Sequence, residues 1–204
     1  MNPDPQNHQN SPQQRATTLQ RSLLFLIAAA VIAVDQATKL LIERFLPLNM
    51  SWAPLPELSR FFKITHVSNT GAAFGLFPSG SLLFTVVAVF VAAVIVYYNF
   101  QLPRGQRLLR LALGLQLGGA LGNLVDRLRL GHVTDFLDFG PWPVFNVADT
   151  SIVAGVVILG FLMLREQKQG AEESASQAGE GSGSDDDRPS VPNLPSQRQN
   201  EQAT

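Results

Sequence analysis

The sequence contains no cysteine. The chain can therefore form no disulfide or thiolate zinc site, and it has no cysteine nucleophile. Histidine is nearly as scarce, because the three residues, His8, His66 and His132, are scattered and form no H-E-x-x-H zinc signature. A G-x-S-x-G nucleophile elbow is also missing. The usual zinc and serine-nucleophile signatures are therefore absent, and the sequence implies no metal ion or organic cofactor.

The chain also lacks an excess of basic residues, since 15 Lys and Arg stand against 16 Asp and Glu. Nucleic-acid binding normally needs a basic patch or stripe, so we expect no nucleic-acid partner. Both ends of the chain are polar, and polar segments with few apolar side chains do not bury enough surface to fold. Residues 1–21 and 166–204 are therefore predicted to be disordered cytoplasmic tails of a membrane domain at 22–165.

Long apolar runs occupy the middle of the chain. A bilayer core requires about 20 helical residues, and four segments qualify: 22–45, 81–99, 108–126 and 149–165. The first run continues past Asp35 without a small-residue cleavage site, so it is a retained span rather than a signal peptide. The sequence thus predicts an α-helical membrane protein with four transmembrane helices.

The basic residues predict the orientation of these helices. Lys and Arg concentrate on the cytoplasmic side of membrane proteins. They precede the first span, lie between the second and third, and follow the fourth: Arg15, Arg21, Arg104, Arg107, Arg110, Arg165 and Lys168. The pattern predicts cytoplasmic N and C termini, with external connections at 46–80 and 127–148.

The first external connection is long and contains alternating residues typical of a strand, Phe62, Ile64 and His66. An Asn-Thr-Gly turn follows at 69–71. We expect a small β-sheet on the external membrane surface. The residues alone predict no strand in the second connection.

Glycine recurs every four residues in the third span, at Gly114, Gly118 and Gly122. This spacing places the three residues on one helix face, where they permit close approach of another helix.

Ionisable side chains inside a membrane are costly and usually have a partner or a task. Asp35 lies about 21 Å along the helix from Arg21, in the outer half of the bilayer. Lys39 follows on the same face and can pair with it. The pair either only neutralises itself while pinning helices together or supports a nearby active site, and the spacing does not decide between the two.

Three further carboxylates, Asp126, Asp135 and Asp149, are predicted at the external boundary of the third and fourth spans. Two carboxylates in a poorly solvated cleft can share one proton, which leaves an acid beside a base. That arrangement suits the activation of water for amide hydrolysis. His132 is an alternative base, although a hydrogen-bonding role at the interface is favoured for it.

Two other kinds of function fit some of these features. A proton-coupled transporter predicts carboxylates distributed through the membrane depth and repeated halves, but only Asp35 lies far inside a span. A structural scaffold, whose charges only fix helix packing, would tolerate Asp149→Asn without losing a specific activity.

Four motifs in order resemble those of the lipoprotein signal peptidases of bacterial membranes, also called signal peptidase II. They are "DQATK" at 35–39, "NTGAAFG" at 69–75, "GGALGNLVDRLRLGHVTDFLDF" at 118–139 and "FNVADTSI" at 145–152. The resemblance covers about residues 22–165. It implies an aspartyl endopeptidase of the bacterial cytoplasmic (inner) membrane that cleaves prolipoproteins before a diacylglyceryl-modified cysteine.

The resemblance also implies roles for individual residues. Carried onto matching positions, the catalytic aspartates are Asp135 and Asp149. Supporting or substrate-binding roles fall to Asp35, Lys39, Asn69, Gly71, Asn123, Asp126, Arg127 and Asn146. The implied partners are the lipid-modified prolipoprotein and membrane lipids, and the enzyme is expected to be a monomer. Asp149 follows Asp135 by only 14 positions, so "LDFGPWPV" is expected to form a tighter loop than is usual in the family.

Overall fold

The computed structural model describes residues 17–71 and 80–181. Four helices dominate the described part of the chain: α1 Thr18–Phe45, α2 Gly80–Gln101, α3 Arg107–Leu130 and α4 Val147–Gly181. Each contains a stretch long and apolar enough to cross a membrane: Thr18–Phe45, Ser81–Gln101, Arg107–Leu130 and Val147–Glu172. The prediction of a four-helix membrane protein is confirmed.

Helix α3 is the central helix. Half of the residues in its most apolar stretch are buried inside the protein, against 6% in that of α2, so α2 contributes less to the interior. The buried apolar core lies between α1, α2 and α3 and consists of Leu24, Ala28, Ala92, Ile95 and Leu117.

A three-stranded antiparallel sheet is formed by β1 Ser51–Trp52, β2 Lys63–Asn69 and β3 Val133–Asp138, in the order β1-β2-β3. The predicted small sheet is therefore confirmed. Its third strand, however, lies in the second external connection, where no strand was predicted. Two aspartates interrupt the apolar alternation of "VTDFLD", and β3 forms only because β2 supplies a partner, with Asp135 opposite Val67.

Two boundaries differ from the sequence-based prediction. Helix α4 does not end at residue 165 but continues to Gly181, so the prediction of a disordered tail is wrong for 166–181. This stretch is rich in Glu, Gln and Ala, which favour a helix even without an apolar face. Helix α1 begins at Thr18, inside the predicted N-terminal tail, and the Thr17 side chain caps it.

Some sequence-based predictions lie outside the described residues. These are most of both predicted tails, at 1–16 and 182–204, and the part of the "NTGAAFG" motif from residue 72 onwards. Met1–Met163 and Leu164–Thr204 are separate units. The site described below belongs to the first of them.

The glycines of α3 pack against α1, as their spacing predicts. A Cβ atom at Gly114 would lie 2.9 Å from the Leu24 carbonyl oxygen, and one at Gly118 would lie 2.6 Å from the Val31 Cβ. At Gly122 the obstacle is a polar atom, the Asp35 Oδ2 at 2.7 Å. The glycine row therefore brings the carboxylate of α1 directly against the backbone of α3.

Replacing Gly118 with Ala should lower the midpoint of thermal unfolding in detergent, because the added methyl group forces α1 and α3 apart at a cost of about 1–3 kcal/mol. Gly160→Ala is the matched control, since a Cβ there meets nothing within 4 Å. Alanine also favours a helix over glycine by up to about 1 kcal/mol, so the control should hold or gain stability. Equal midpoints for the two variants would contradict the close packing described here.

Candidate active site

Asp135 lies in β3 and is 2% exposed, yet both of its carboxylate oxygens are hydrogen-bonded. Oδ2 accepts from Asn69 Nδ2 at 2.8 Å, and Oδ1 accepts from Asn146 Nδ2 at 2.6 Å. Asn69 lies in the neighbouring strand β2, and Asn146 is the residue directly before α4. The sheet and the start of α4 thus hold one carboxylate between them.

Asp149 lies in the first turn of α4. Its backbone N–H donates to Asn146 Oδ1 at 2.9 Å, so Asn146 caps the helix that carries Asp149. Asn123 Nδ2 donates to Asp149 Oδ1 at 2.7 Å. The positive end of the helix dipole favours a negative charge at this position. Asn146 therefore contacts both predicted catalytic residues, Asp135 through its amide nitrogen and Asp149 through its amide oxygen.

The Asn123 side chain is fixed in one orientation by its own partners. Its Oδ1 accepts from Lys39 Nζ at 2.9 Å and from Asn146 Nδ2 at 3.1 Å. Since the ammonium of Lys39 and the amide NH2 of Asn146 only donate, the Asn123 oxygen must face them. The Asn123 nitrogen is consequently directed at Asp149.

Lys39 joins the amides to two further carboxylates. Its ammonium lies 2.9 Å from both Asp35 Oδ2 and Asp126 Oδ2, and all three side chains are fully buried. The predicted pairing of Asp35 with Lys39 is thus confirmed. Asp35 Oδ1 also accepts from the backbone N–H of Ala148, and Asp126 Oδ2 accepts from that of Thr134. The ion cluster therefore ties α1 and α3 to the starts of β3 and α4.

Sequence reasoning missed Gln36, although it lies within the "DQATK" motif. Its Nε2 donates to Asp126 Oδ1 at 2.8 Å and to the Gly122 carbonyl at 3.1 Å. It missed Glu43 as well, which accepts from Arg129 at 2.9 Å and from Thr134 Oγ1 at 3.0 Å. Both are polar residues on an otherwise apolar helix, and this was the only available signal of a role. Their partners are more than 80 positions away in the chain, so the sequence did not indicate what they contact.

Gly71 and Arg127 flank the site. Gly71 has φ +74°, and its N–H donates to Asn69 Oδ1 at 2.8 Å, which turns the Asn69 nitrogen towards Asp135. The Arg127 guanidinium lies over the Phe84 ring, 5.4 Å from its centroid. Arg127, Asn123 and Asp149 line one cavity of about 290 Å³. In the described part of the chain, no imidazole is among the hydrogen-bond partners of the two carboxylates, so nothing favours His132 as the base.

The electrostatics of Asp135 follow from its surroundings. The pKa of its carboxyl is raised to about 6, chiefly by burial and also by the nearby Asp149 charge, while the bonds from Asn69 and Asn146 and the charge of Lys39 limit the rise. Asp135 thus retains a proton where an exposed aspartate has lost it. Within the described residues, no three His, Asp or Glu side chains are grouped so as to hold a metal ion.

Known proteins share this fold and sequence pattern. The family model described as signal peptidase (SPase) II matches residues 27–165. The lipoprotein signal peptidase of Moorella thermoacetica is 49% identical over 148 residues, covering 72% of this chain and 97% of the relative. The lipoprotein signal peptidase of Desulfitobacterium hafniense is 46% identical, and the match covers 72% of this chain and 96% of that relative. A bacterial membrane enzyme solved by the in meso method at 2.3 Å resolution superposes with a TM-score of 0.65 at 27% identity, covering 78% of this chain and 96% of that one.

The raised pKa of Asp135 predicts a pH-dependent stability. Between the ordinary pKa of 3.8 and about 6 the folded protein binds more protons than the unfolded chain, so stability falls as pH rises through this window. For a shift of this size the loss is about 3 kcal/mol. Asp135→Asn should remove it. We expect the difference in unfolding midpoint between variant and wild type, measured in detergent from pH 4 to pH 7, to shift in favour of the variant as pH rises.

The comparison is internally controlled. Asp138, whose pKa is lowered chiefly by the hydrogen bond from the Thr65 hydroxyl, titrates in both proteins and drops out of the difference. The amide at position 135 also cannot accept from both Asn69 and Asn146, which lowers stability by an amount that does not depend on pH. A difference in midpoint that stays constant from pH 4 to pH 7 would rule out the raised pKa.

Proposed function

This chain belongs to the signal peptidase II family of proteases, and we propose that it removes signal peptides from prolipoproteins through Asp135 and Asp149. The observation that carries the assignment is the shared contact with Asn146, which hydrogen-bonds Asp135 and caps the helix turn of Asp149. A proton-relay function would distribute carboxylates through the membrane. Here Asp35, Asp126, Asp135 and Asp149 converge on two amides and one lysine.

The proposed reaction is hydrolysis of one peptide bond by water. An ionised Asp149 takes a proton from the water molecule, whose oxygen attacks the carbonyl carbon of the scissile bond. A protonated Asp135 polarises that carbonyl, and Asp149 passes the proton it took from water to the leaving nitrogen as the C–N bond breaks. The raised pKa of Asp135 supports its role as the acid, and the N-terminus of α4 supports the charged form of Asp149.

The surrounding residues position these two groups. Asn69, Asn123 and Asn146 donate hydrogen bonds to the carboxylates and hold their orientation. Lys39 acts through Asn123, and Asp35 and Asp126 neutralise Lys39. We assign Gly71 to the turn that orients Asn69, and Arg127 to the wall of the substrate cavity.

The protein is a multi-pass bacterial membrane protein, and we place it in the cytoplasmic membrane with both termini inside. Arg107 and Arg110 lie in the first turn of α3, with Arg104 just before it, at the end opposite the carboxylates, which supports an active site near the external face. We also propose that the enzyme is a monomer, because among the described residues Asn69, Asn123 and Asn146 of the same chain already satisfy the carboxylates.

We further propose that the substrate cysteine carries a diacylglyceryl group. A site at the membrane boundary lets the acyl chains stay in the bilayer while the scissile bond reaches the carboxylates. Each methylene contributes roughly 0.8 kcal/mol on transfer from water. The lipid therefore holds the substrate in the membrane plane without a large protein pocket.

Asp135→Asn and Asp149→Asn should each lower the rate of prolipoprotein cleavage by at least about a hundredfold, because the acid or the base is lost while side-chain volume is kept. Release of signal peptide from a purified lipid-modified substrate measures the effect. Asp138→Asn is the matched control, since its carboxyl in the same strand bonds Thr65 and Gly140 and should be dispensable. An Asp135→Asn enzyme that cleaves at the control's rate would refute the assignment.

A substrate without the diacylglyceryl group should be cleaved at least about tenfold more slowly than the modified form, because it loses the bilayer anchor. The two forms should be compared at equal concentration in the same bilayer, with Asp149→Asn enzyme as the blank. Equal rates would mean that the enzyme reads the peptide alone.

A further inference from the structure

Gln116 carries a buried polar atom that the proposed chemistry does not use. It lies near the middle of α3, within the membrane span, and its Nε2 is buried without a hydrogen-bond partner among the described residues. Buried polar atoms nearly always have partners, so an orphaned amide in an apolar span requires an explanation. A partner that arrives only with the substrate is one.

The position of Gln116 supports that explanation. It lines the same cavity as Asn123 and Asp149. Gln116 precedes Asn123 by two helical turns on one face of α3, which places it about 10 Å deeper in the membrane. The facing wall is apolar and comes from α2, at Phe84, Val87, Ala88 and Val91. The Gln116 amide is thus a polar group deeper in the membrane than the carboxylates, in a part of the cavity that is otherwise apolar.

Helix α4 leaves room for this side chain. A Cβ atom at Gly155 would lie 2.7 Å from Gln116 Cγ and 3.4 Å from Nε2. The glycine therefore forms a notch in which the glutamine stem lies against α4. Its Nε2 lies against α4 there, and because it has no partner among the described residues, turning the amide into the cavity breaks no hydrogen bond.

We propose that Gln116 is a substrate-positioning residue whose amide N–H donates to a main-chain carbonyl oxygen of the signal peptide. The inference rests on the proposed function, in which the scissile bond lies at the carboxylates and the apolar signal peptide descends into the membrane. A peptide must be extended to present free carbonyls, and in lipid each such group needs a donor. At about 3.3 Å per extended residue, Gln116 reaches a carbonyl roughly three residues before the cleavage point.

The test combines an enzyme variant with substrate variants. Gln116→Met keeps the length of the side chain and removes the amide, and Gln101→Met, at the exposed end of α2, is the matched control. The substrates are lipid-modified peptides in which single amide linkages before the cleavage point are replaced in turn by esters, whose carbonyls accept hydrogen bonds weakly. With the all-amide substrate, Gln116→Met should lower kcat/KM by about tenfold, and Gln101→Met should leave it unchanged.

An ester at one position of the substrate should have the same effect on the wild-type enzyme as the Gln116→Met substitution. We expect it to lower kcat/KM of the wild-type enzyme by a factor similar to the effect of Gln116→Met, and to cause no further loss in the variant. The thermal midpoint of Gln116→Met should equal or exceed that of the wild type, because an unsatisfied buried amide has been removed. A purely structural glutamine would instead show a lowered midpoint and equal losses with every ester.

The outcomes separate this inference from the proposed function. The positioning role is overturned if Gln116→Met retains full kcat/KM, or if its loss adds to the loss caused by every ester. The peptidase assignment stays intact in either case, provided that the wild-type enzyme cleaves and the Asp149→Asn enzyme does not. If the wild-type enzyme fails to cleave the all-amide lipid-modified substrate, the proposed function itself is refuted, and with it the role of Gln116.

Discussion

The buried ammonium of Lys39 is the interaction on which the rest of the site depends. It is shared by Asp35 and Asp126, and it donates a third bond to Asn123. Removing three ionised groups from water is expensive, and the cost is offset only if each is fully paired. The second oxygen of Asp35 bonds the first turn of α4, so the requirement for pairing fixes the mutual position of α1, α3 and α4. Electrostatic satisfaction therefore determines helix packing here as much as apolar contact does.

Two asparagine side chains connect this ion cluster to the carboxylates of Asp135 and Asp149. An amide has a donating end and an accepting end, so fixing one end orients the other. Lys39 fixes the oxygen of Asn123, and the nitrogen then reaches Asp149. Asn146 divides its contacts between Asp135 and the backbone of Asp149. The two carboxylates thus occupy different environments, one in a buried strand and one at a helix start.

Much of the site was accessible from the residues alone. Spacing within one helix predicted the contact between Asp35 and Lys39, and the glycine row of α3 predicted a close neighbour. Motif resemblance singled out Asn69, Asn123 and Asn146, yet it did not indicate which atoms they contact. Gln36 and Gln116 went unnoticed because a single glutamine in a helix has no periodic signal, and its importance depends on groups far away in the chain.

The sequence by itself determined the number of membrane spans and the family, because bilayer thickness translates directly into apolar length and because four motifs occur in order. It also determined that carboxylates gather near the ends of the last two spans. Only the tertiary structure decided that β3 is a strand and that Asp135 faces Asn146, since strand pairing and side-chain amides act between distant residues. The local sequence pattern predicts whether a segment forms a helix or a strand. The contacts that orient a reactive group form only when separate helices and strands pack together.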